Sequence, residues 1–444
     1  MDNNRKLVAS EQAMELLNRH NGSLNVATVT RIRGKIDEIT LRKSLDAVQR
    51  IHPRLNSRIV GALDNLEFRT EGTHEIPLTV VNEDVKDIWQ DFVVKELNTE
   101  IPSDKVLLRC VLVRETNERD RNYFIVTIHH GISDGLSCIQ LQSEIWKYYQ
   151  KLESGDSLAK ITPLPALPAL FDLFPQWIKG KRGQLKSILF LLKLRLKILI
   201  HQPEQLESEK NVPIEFRRCG ITNRYLATEL TQKLAQRCRQ ENTTVQGMVC
   251  AAMLMAVVQR NEEAKDGKIT NTSCRSYIDL RRRLNAPVSH ENMGILASFL
   301  TSFHTLKPET PFWDLVREIT REIKIGLEKK DFFKPMAVYG KVIEYYVKNP
   351  DRLQLTASVT NIGRVNIPTT YGNLELEEIS FVPSNAIFGR TFTVAVTTFK
   401  DRMMLNFLVS QPSISQETLE ELANSVVDCL EAACQEESVM ALAN

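Results

Sequence analysis

At 444 residues the chain is longer than one hydrophobic core usually fills, so two large subdomains are expected. Its hydrophobic share of 43% and charged share of 25% are those of a soluble globular protein. A formal net charge of +2 sets up no field that argues for nucleic acid, and no basic-aromatic stripe adds to that case. The eight cysteines, from Cys110 to Cys434, include no C-x-x-C pair. That scatter predicts reduced thiols rather than a disulfide framework or a zinc site. The opening residues, MDNNRKLVASEQAMELLNRH, carry acids and amides where a signal peptide needs an apolar core. No apolar stretch is long enough to span a bilayer, so a soluble cytoplasmic protein is expected.

Along the chain, LRKSLDAVQRIHPRL puts Leu41, Leu45 and Val48 at helical spacing, with Pro53 ending the helix. IPLTVV from Ile76 and VLLRCVLV from Val106 read as strands. The second leads through the polar turn RETNERDRN into YFIVTIHH, which predicts two neighbouring strands of one sheet. Helical spacing resumes at Leu136, Ile139, Ile145, Trp146 and Tyr149. The prolines of ITPLPALPALFDLFP, Ile161 to Pro175, mark a crossover linker. SILFLLKLRLKILI, Ser187 to Ile200, is apolar but interrupted by Lys193, Arg195 and Lys197. It is either a core-packed helix with snorkelling basic tips or a surface element that touches a membrane or a greasy substrate. Periodicity does not decide, because the charges alternate with period two while Lys193 and Lys197 share a helical face.

The second half repeats a mixed pattern. TELTQKLAQRCRQENTTVQGMVCAAMLMAVVQR reads as two helices joined at ENTT, the second almost wholly buried. ITNTSCRSYIDLRRRL is strand-like and then basic, NMGILASFLTSFHTL is a further apolar run, and helices follow through Asp351. LTASVTNIGRVNIP, LELEEISFV and TFTVAVTTFKDRMMLNFLVS supply late strands, the last with a hairpin turn at Lys400-Asp401, and a closing helix starts near Gln416. Helices and strands mix in both halves, which predicts an α/β (α+β) protein of two layered lobes. The expected division is 1–175 for the first lobe, 176–210 for the linker and 211–444 for the second lobe.

Chemistry concentrates in one place. His129 and His130 end an apolar strand, and an aspartate and a glycine, Asp134-Gly135, follow before the next helix. A histidine at a strand end is most often a hydrogen-bonded structural residue. Zinc would need three or four ligands at regular spacing, which no His, Cys or Glu cluster supplies, and there is no G-x-S-x-G elbow. A general base remains, since imidazole near neutrality can take a proton from a hydroxyl or amine and return it. The nearby carboxylate would either charge-stabilise the ring or pair with an arginine and brace the loop, with glycine permitting a tight turn.

His129-His130-Gly131-Ile132-Ser133-Asp134-Gly135 resembles the HHxxxDG motif of the chloramphenicol-acetyltransferase-like superfamily, which includes condensation domains, polyketide-associated acyltransferases, wax-ester synthases and alcohol acetyltransferases. Four fixed residues in that order arise by chance in roughly one in a thousand chains of this length. Other stretches are also similar to this family: LDAVQRIHPRLNSRI, NTEIPSDKVLLRCVLV, ENTTVQGMVCAAMLMAV, SYIDLRRRL, MGILASFLTSF and SVTNIGRV. The DFGWG motif of the plant and synthetase branches is missing, which points to the polyketide-associated and alcohol O-acyltransferase branch.

The resemblance implies a tunnel between two lobes, with His130 facing it as the base that deprotonates an acceptor hydroxyl. The donor would be an acyl thioester of CoA or of an acyl carrier protein, acting as substrate, with no resident cofactor and no metal. Asp134 is implied to pair with an arginine: Arg281 first, Arg282 as the fallback. The backbone N–H near Gly135 would serve the oxyanion. Asn361 would line the tunnel or act as a turn residue before Gly363. His129 is expected to be structural, since alternation turns it away from His130. The arginines of Arg281–Arg283 not held by Asp134 would meet a phosphate or simply face solvent. One chain holds both lobes of such a tunnel, which predicts a monomer. Ester formation on an alcohol leads; amide formation on an amine uses the same base, and a non-catalytic member binding carrier proteins or lipids is the third reading.

Overall fold

A computed structural model describes every residue except 1–3, 21, 23, 84–88, 116–119, 158–160, 263–268, 308 and 441–444. The early helix forms at Glu38–Ile51. Asp37 starts it by accepting the Thr40 N–H at 2.7 Å, which satisfies one of the amides a helix start leaves free. The helix stops just short of Pro53, and Leu41, Leu45 and Val48 lie on its buried face. Strands Leu108–Glu115 and Arg121–Ile128 are antiparallel neighbours, with Val111 opposite Ile125. The polar turn expected between them falls largely on 116–119, outside the described residues.

Among the described residues the strands form two six-stranded sheets and a small three-stranded one. The first large sheet runs, in spatial order, Thr370–Tyr371, Leu374–Pro383, Val26–Arg33, Arg121–Ile128, Leu108–Glu115, Leu78–Glu83. All neighbours are antiparallel except the last pair. The second runs Ala297–Leu306, Thr270–Asp279, Ala357–Arg364, Phe392–Phe399, Arg402–Gln411, Arg218–Leu226. Its Ala357–Arg364 strand is parallel to both neighbours and the rest pair antiparallel. The hairpin turn sits at Lys400 and Asp401, both with positive φ (47° and 58°), the twist a two-residue hairpin demands.

The sheets do not divide at the boundary that the sequence pattern predicts. Residues 211–444 are expected wholly in the second lobe, yet strand Leu374–Pro383 adds to the first sheet beside Val26–Arg33, with Phe381 opposite Thr28. Its inward side chains Leu374, Leu376, Ile379 and Phe381 join the first core. Charge reinforces the pairing where the register shifts. Arg31 meets Glu377 at 2.9 Å and Glu378 at 2.8 Å, and Arg33 meets Glu377 at 2.6 Å. From the second sheet, the buried Asn406 side-chain amide donates to the Phe381 carbonyl at 3.1 Å, so this shared strand ties the two layers together.

The helix after the histidines, Gly135–Glu153, lies across the first sheet. Trp146 meets Phe124 edge-on at 5.1 Å, and the buried Gln142 amide donates to Thr28 Oγ1 at 3.1 Å. In the second lobe, helices Thr228–Gln240 and Val245–Glu262 form as expected, the second filling the core beneath its sheet. The basic apolar stretch is a helix, Gly180–His201. No single helix among the described residues is long and apolar enough to cross a membrane.

Because the shared strand belongs to both layers, Phe381→Ala is expected to cost about 3–5 kcal/mol. In urea titrations followed by circular dichroism and tryptophan fluorescence, both signals should move to lower denaturant together. Movement of only one of two separated transitions would count against this coupling.

Candidate active site

The motif begins where strand Arg121–Ile128 ends. His129 still follows the sheet, donating its N–H to the Leu107 carbonyl at 3.0 Å, and the chain then turns through His130–Ile132. The two imidazoles diverge. His129 is fully buried; its Nε2 lies 3.0 Å from a Glu15 carboxylate oxygen, and its Nδ1 accepts the Gly131 N–H at 3.0 Å. A Cβ on Gly131 would lie 2.7 Å from that Nδ1, so only glycine fits there. Glu15 also accepts from Ser103 Oγ and Arg19 Nε, each at 2.7 Å. Burial resists ionisation of Glu15, but the hydrogen bond from His129, with those from Ser103 and Arg19, outweighs it and holds the carboxyl below its ordinary value.

His130 is half-buried, and its Nδ1 lies 2.6 Å from the Ser133 carbonyl oxygen. A carbonyl only accepts, so this bond places the proton on Nδ1 and leaves Nε2 with its lone pair in the neutral ring. Burial pushes the imidazole below its ordinary pKa, and the Ser133 carbonyl and the Asp134 charge offset part of that shift. The ring is therefore neutral at physiological pH.

Asp134 caps the following helix by accepting the Ser137 N–H at 2.8 Å. Its carboxylate then meets the Arg281 guanidinium in a two-pronged pair, both bonds at 2.9 Å. The Leu296 N–H adds a third donor at 3.0 Å. Arg281 also reaches Ser137 Oγ at 2.8 Å and Asp279 at 3.0 Å, and is itself 1% exposed. Burial resists ionisation of Asp134, but the Arg281 charge and hydrogen bonds, with those of Ser137, keep its pKa below the usual carboxylate range. Arg282 and Arg283 are exposed, so Arg281 is the arginine of this cluster that reaches the motif.

Gly135 is needed for a different reason from the one the sequence suggests. Its φ is not positive; a Cβ there would instead lie 2.9 Å from the Phe381 ring and 3.2 Å from Ile362. Close approach of strands from the second half, not turn geometry, excludes a side chain. Asn361 lies half-buried on strand Ala357–Arg364 and its side-chain oxygen accepts the Gly363 N–H at 2.8 Å, with Gly363 at φ +74°. That is the bonding of a turn-forming asparagine.

Sequence reasoning missed Glu15, the Ser133 carbonyl, Ser137, Asp279 and Phe381. Only Ser137 had a local signal, three residues after a capping aspartate; Glu15 lies 114 residues from the histidine it holds.

Residues 217–411 match the family model described as phthiocerol/phthiodiolone dimycocerosyl transferase C-terminus. Polyketide synthase associated protein 5 from Mycobacterium tuberculosis has a similar structure, with a TM-score of 0.70 at 18% identity, over 95% of this chain and 97% of that one. The trichothecene 15-O-acetyltransferase from Fusarium sporotrichioides gives 0.75 at 13% identity, over 97% and 95%. The chain has the two-lobed chloramphenicol-acetyltransferase-like fold of these structures, and the family match lies within its second half. The same fold occurs in the first condensation domain of the CDA synthetase, at a TM-score of 0.69 and 13% identity over 97% and 96%. By sequence, the chain is 30% identical over 131 residues to FR901469 synthetase of Dothideomycetidae sp. (strain 11243), matching 30% of this chain. It is 25% identical over 258 residues, 54% of this chain, to a component of the linear gramicidin synthase of Brevibacillus parabrevis. It spans 1% and 5% of those two proteins' lengths.

Asp134→Ala takes from the buried Arg281 guanidinium its two-pronged partner, leaving Asp279 as its one carboxylate, and is expected to destabilise the protein by about 3–5 kcal/mol. Asp134→Ala/Arg281→Met should cost less than Asp134→Ala alone in the same urea titration; an equal or larger loss would mean the pair is not the stabilising element. The depressed carboxyl also sets a pH dependence. Its contribution is complete above the unfolded aspartate value of about 3.9 and is lost as pH falls through the lower folded value. Acid unfolding of the wild type should therefore be steeper than that of the double variant.

Proposed function

We propose that the protein transfers an acyl group from a thioester to an alcohol, forming an ester in one direct step with His130 as general base. The observation that carries this reading is the 2.6 Å bond from Nδ1–H to the Ser133 carbonyl, which presents Nε2 as the acceptor. The acceptor hydroxyl gives its proton to Nε2 as its oxygen attacks the thioester carbonyl carbon. The tetrahedral oxyanion collapses, the C–S bond breaks, and the leaving thiolate recovers the proton from Nε2. We assign the Gly135 N–H, at the first turn of its helix, to the oxyanion, where a positioned amide donor stabilises developing charge. Holding both reactants in one passage between the lobes supplies much of the rate.

The donor is an acyl thioester of CoA or of a carrier protein, and it enters as substrate. The dimycocerosyl transferase family match over 217–411 and the fold shared with a 15-O-acetyltransferase support ester formation. Amide formation is the second reading, supported by sequence similarity to FR901469 synthetase and to a linear gramicidin synthase subunit, and by the condensation-domain fold. Similarity to synthetases also favours a carrier-protein donor over free CoA.

Incubation with acyl-CoA or acyl carrier protein and panels of alcohols and amines, followed by free-thiol detection, separates these readings. Alcohol-dependent thiol release is expected, and His130→Ala should reduce it by about 10²–10⁴-fold without lowering the melting temperature. Release with amines alone would move the assignment to amide synthesis. No acceptor-dependent release above the His130→Ala background would leave a binding protein. Because the ring's pKa is depressed, kcat/KM should stay flat through neutrality and fall only below the ordinary imidazole value of about 6.5.

A further inference from the structure

The helix Gly180–His201 has two apolar faces on opposite sides. One is seated on the protein. Gly183 and Ser187 are buried, Phe190, Leu191, Leu194 and Ile198 are half-buried, and His201 meets Phe303 at a tilt of 41°, ring centroids 5.5 Å apart. Gly183 is required here, since a Cβ would fall 1.9 Å from the Ile178 carbonyl oxygen. The other face carries Leu185, Ile188, Leu189, Leu192, Leu196, Leu199 and Ile200, each between 47% and 70% exposed. These are seven of the thirteen exposed large hydrophobic side chains among the described residues. At about 100° per residue they form one continuous stripe pointing directly away from the protein body, about 22 Å long. A stripe of that size is not a feature of a surface left to water.

The charges say what covers it. From Gly180 to His201 the helix has six lysines and arginines and no acidic residue. Lys186, Lys193 and Lys197 line one flank of the stripe, and Arg195 the other. A second copy meeting this one stripe to stripe would bring two rows of cations together with no acids on either helix to pair them. An anionic bilayer satisfies both features: leucine and isoleucine side chains enter the headgroup–acyl boundary while lysines at the flanks reach lipid phosphates.

We propose that Gly180–His201 is an interfacial helix that docks the protein on an anionic membrane surface, its outer stripe immersed and its long axis in the plane of the bilayer. This contact is independent of the chemistry assigned to His130. The inner face holds the helix against Gln176–Ile178 and Phe333–Met336, segments that contribute Ile178 and Phe333 to a satellite core, so docking needs no unfolding.

Vesicle flotation of the full chain tests it. The protein should float with equimolar phosphatidylcholine–phosphatidylglycerol vesicles and stay largely unbound with phosphatidylcholine alone. Leu192→Asp/Leu196→Asp, both at outward-facing positions, should abolish flotation with unchanged melting temperature. Lys181→Gln/Lys193→Gln should weaken binding to the anionic vesicles by roughly twenty-fivefold, each lysine being worth about fivefold. Failure of the wild type to float with anionic vesicles overturns the proposal, as does equal flotation of the aspartate variant. So does a dimer in light scattering that the aspartate variant converts to monomer, because the stripe would then be an interface between copies.

Discussion

The pair between Asp134 and Arg281 organises this molecule around its histidines. Asp134 stands at the end of the first sheet's central strand system, and Arg281 follows a strand of the second sheet. Their two parallel hydrogen bonds, with donors from Ser137 and Leu296 and a second carboxylate at Asp279, satisfy a charge pair that burial would otherwise penalise. The same aspartate caps the helix that follows the motif. One carboxylate thus fixes the helix start, the loop carrying His130 and the approach of the second lobe.

Rigidity of that loop matters because the Ser133 carbonyl is the anchor that holds the His130 imidazole. His129 contributes from the opposite side, locked to Glu15 and to the Gly131 N–H, so the backbone between the two rings is held at both ends. The second half of the chain closes the arrangement through Phe381, which presses on Gly135 from a strand that has joined the first sheet. A site built from residues 15, 130, 134, 281 and 381 gathers its geometry from the whole chain, although the group proposed to do the chemistry is one ring.

Much of the fold was legible in the sequence because the signals are local. Strand alternation, the proline-rich crossover, the ENTT break between helices and the Lys400-Asp401 turn each depend on backbone preferences of a few residues, and each has its counterpart in the structure. The exchange of strand Leu374–Pro383 into the first sheet was not legible. LELEEISFVP has the same alternation whichever sheet it joins, and the deciding contacts, Glu377 and Glu378 with Arg31 and Arg33, lie some 345 residues apart in the chain. The basic helix was ambiguous for a related reason: with apolar residues on two opposite faces, its sequence carries no single amphipathic direction.

The sequence by itself determined the class of fold and the place of the histidine motif, since seven consecutive residues at a strand-to-helix junction bring the histidines, the aspartate and the glycine together. Tertiary structure alone decided which ring nitrogen holds the proton, which arginine meets Asp134, why Gly135 tolerates no side chain, and which face of Gly180–His201 is left outside. Those are questions of distance between segments far apart in the chain, and side-chain periodicity reports only the direction a residue points, never what it meets there.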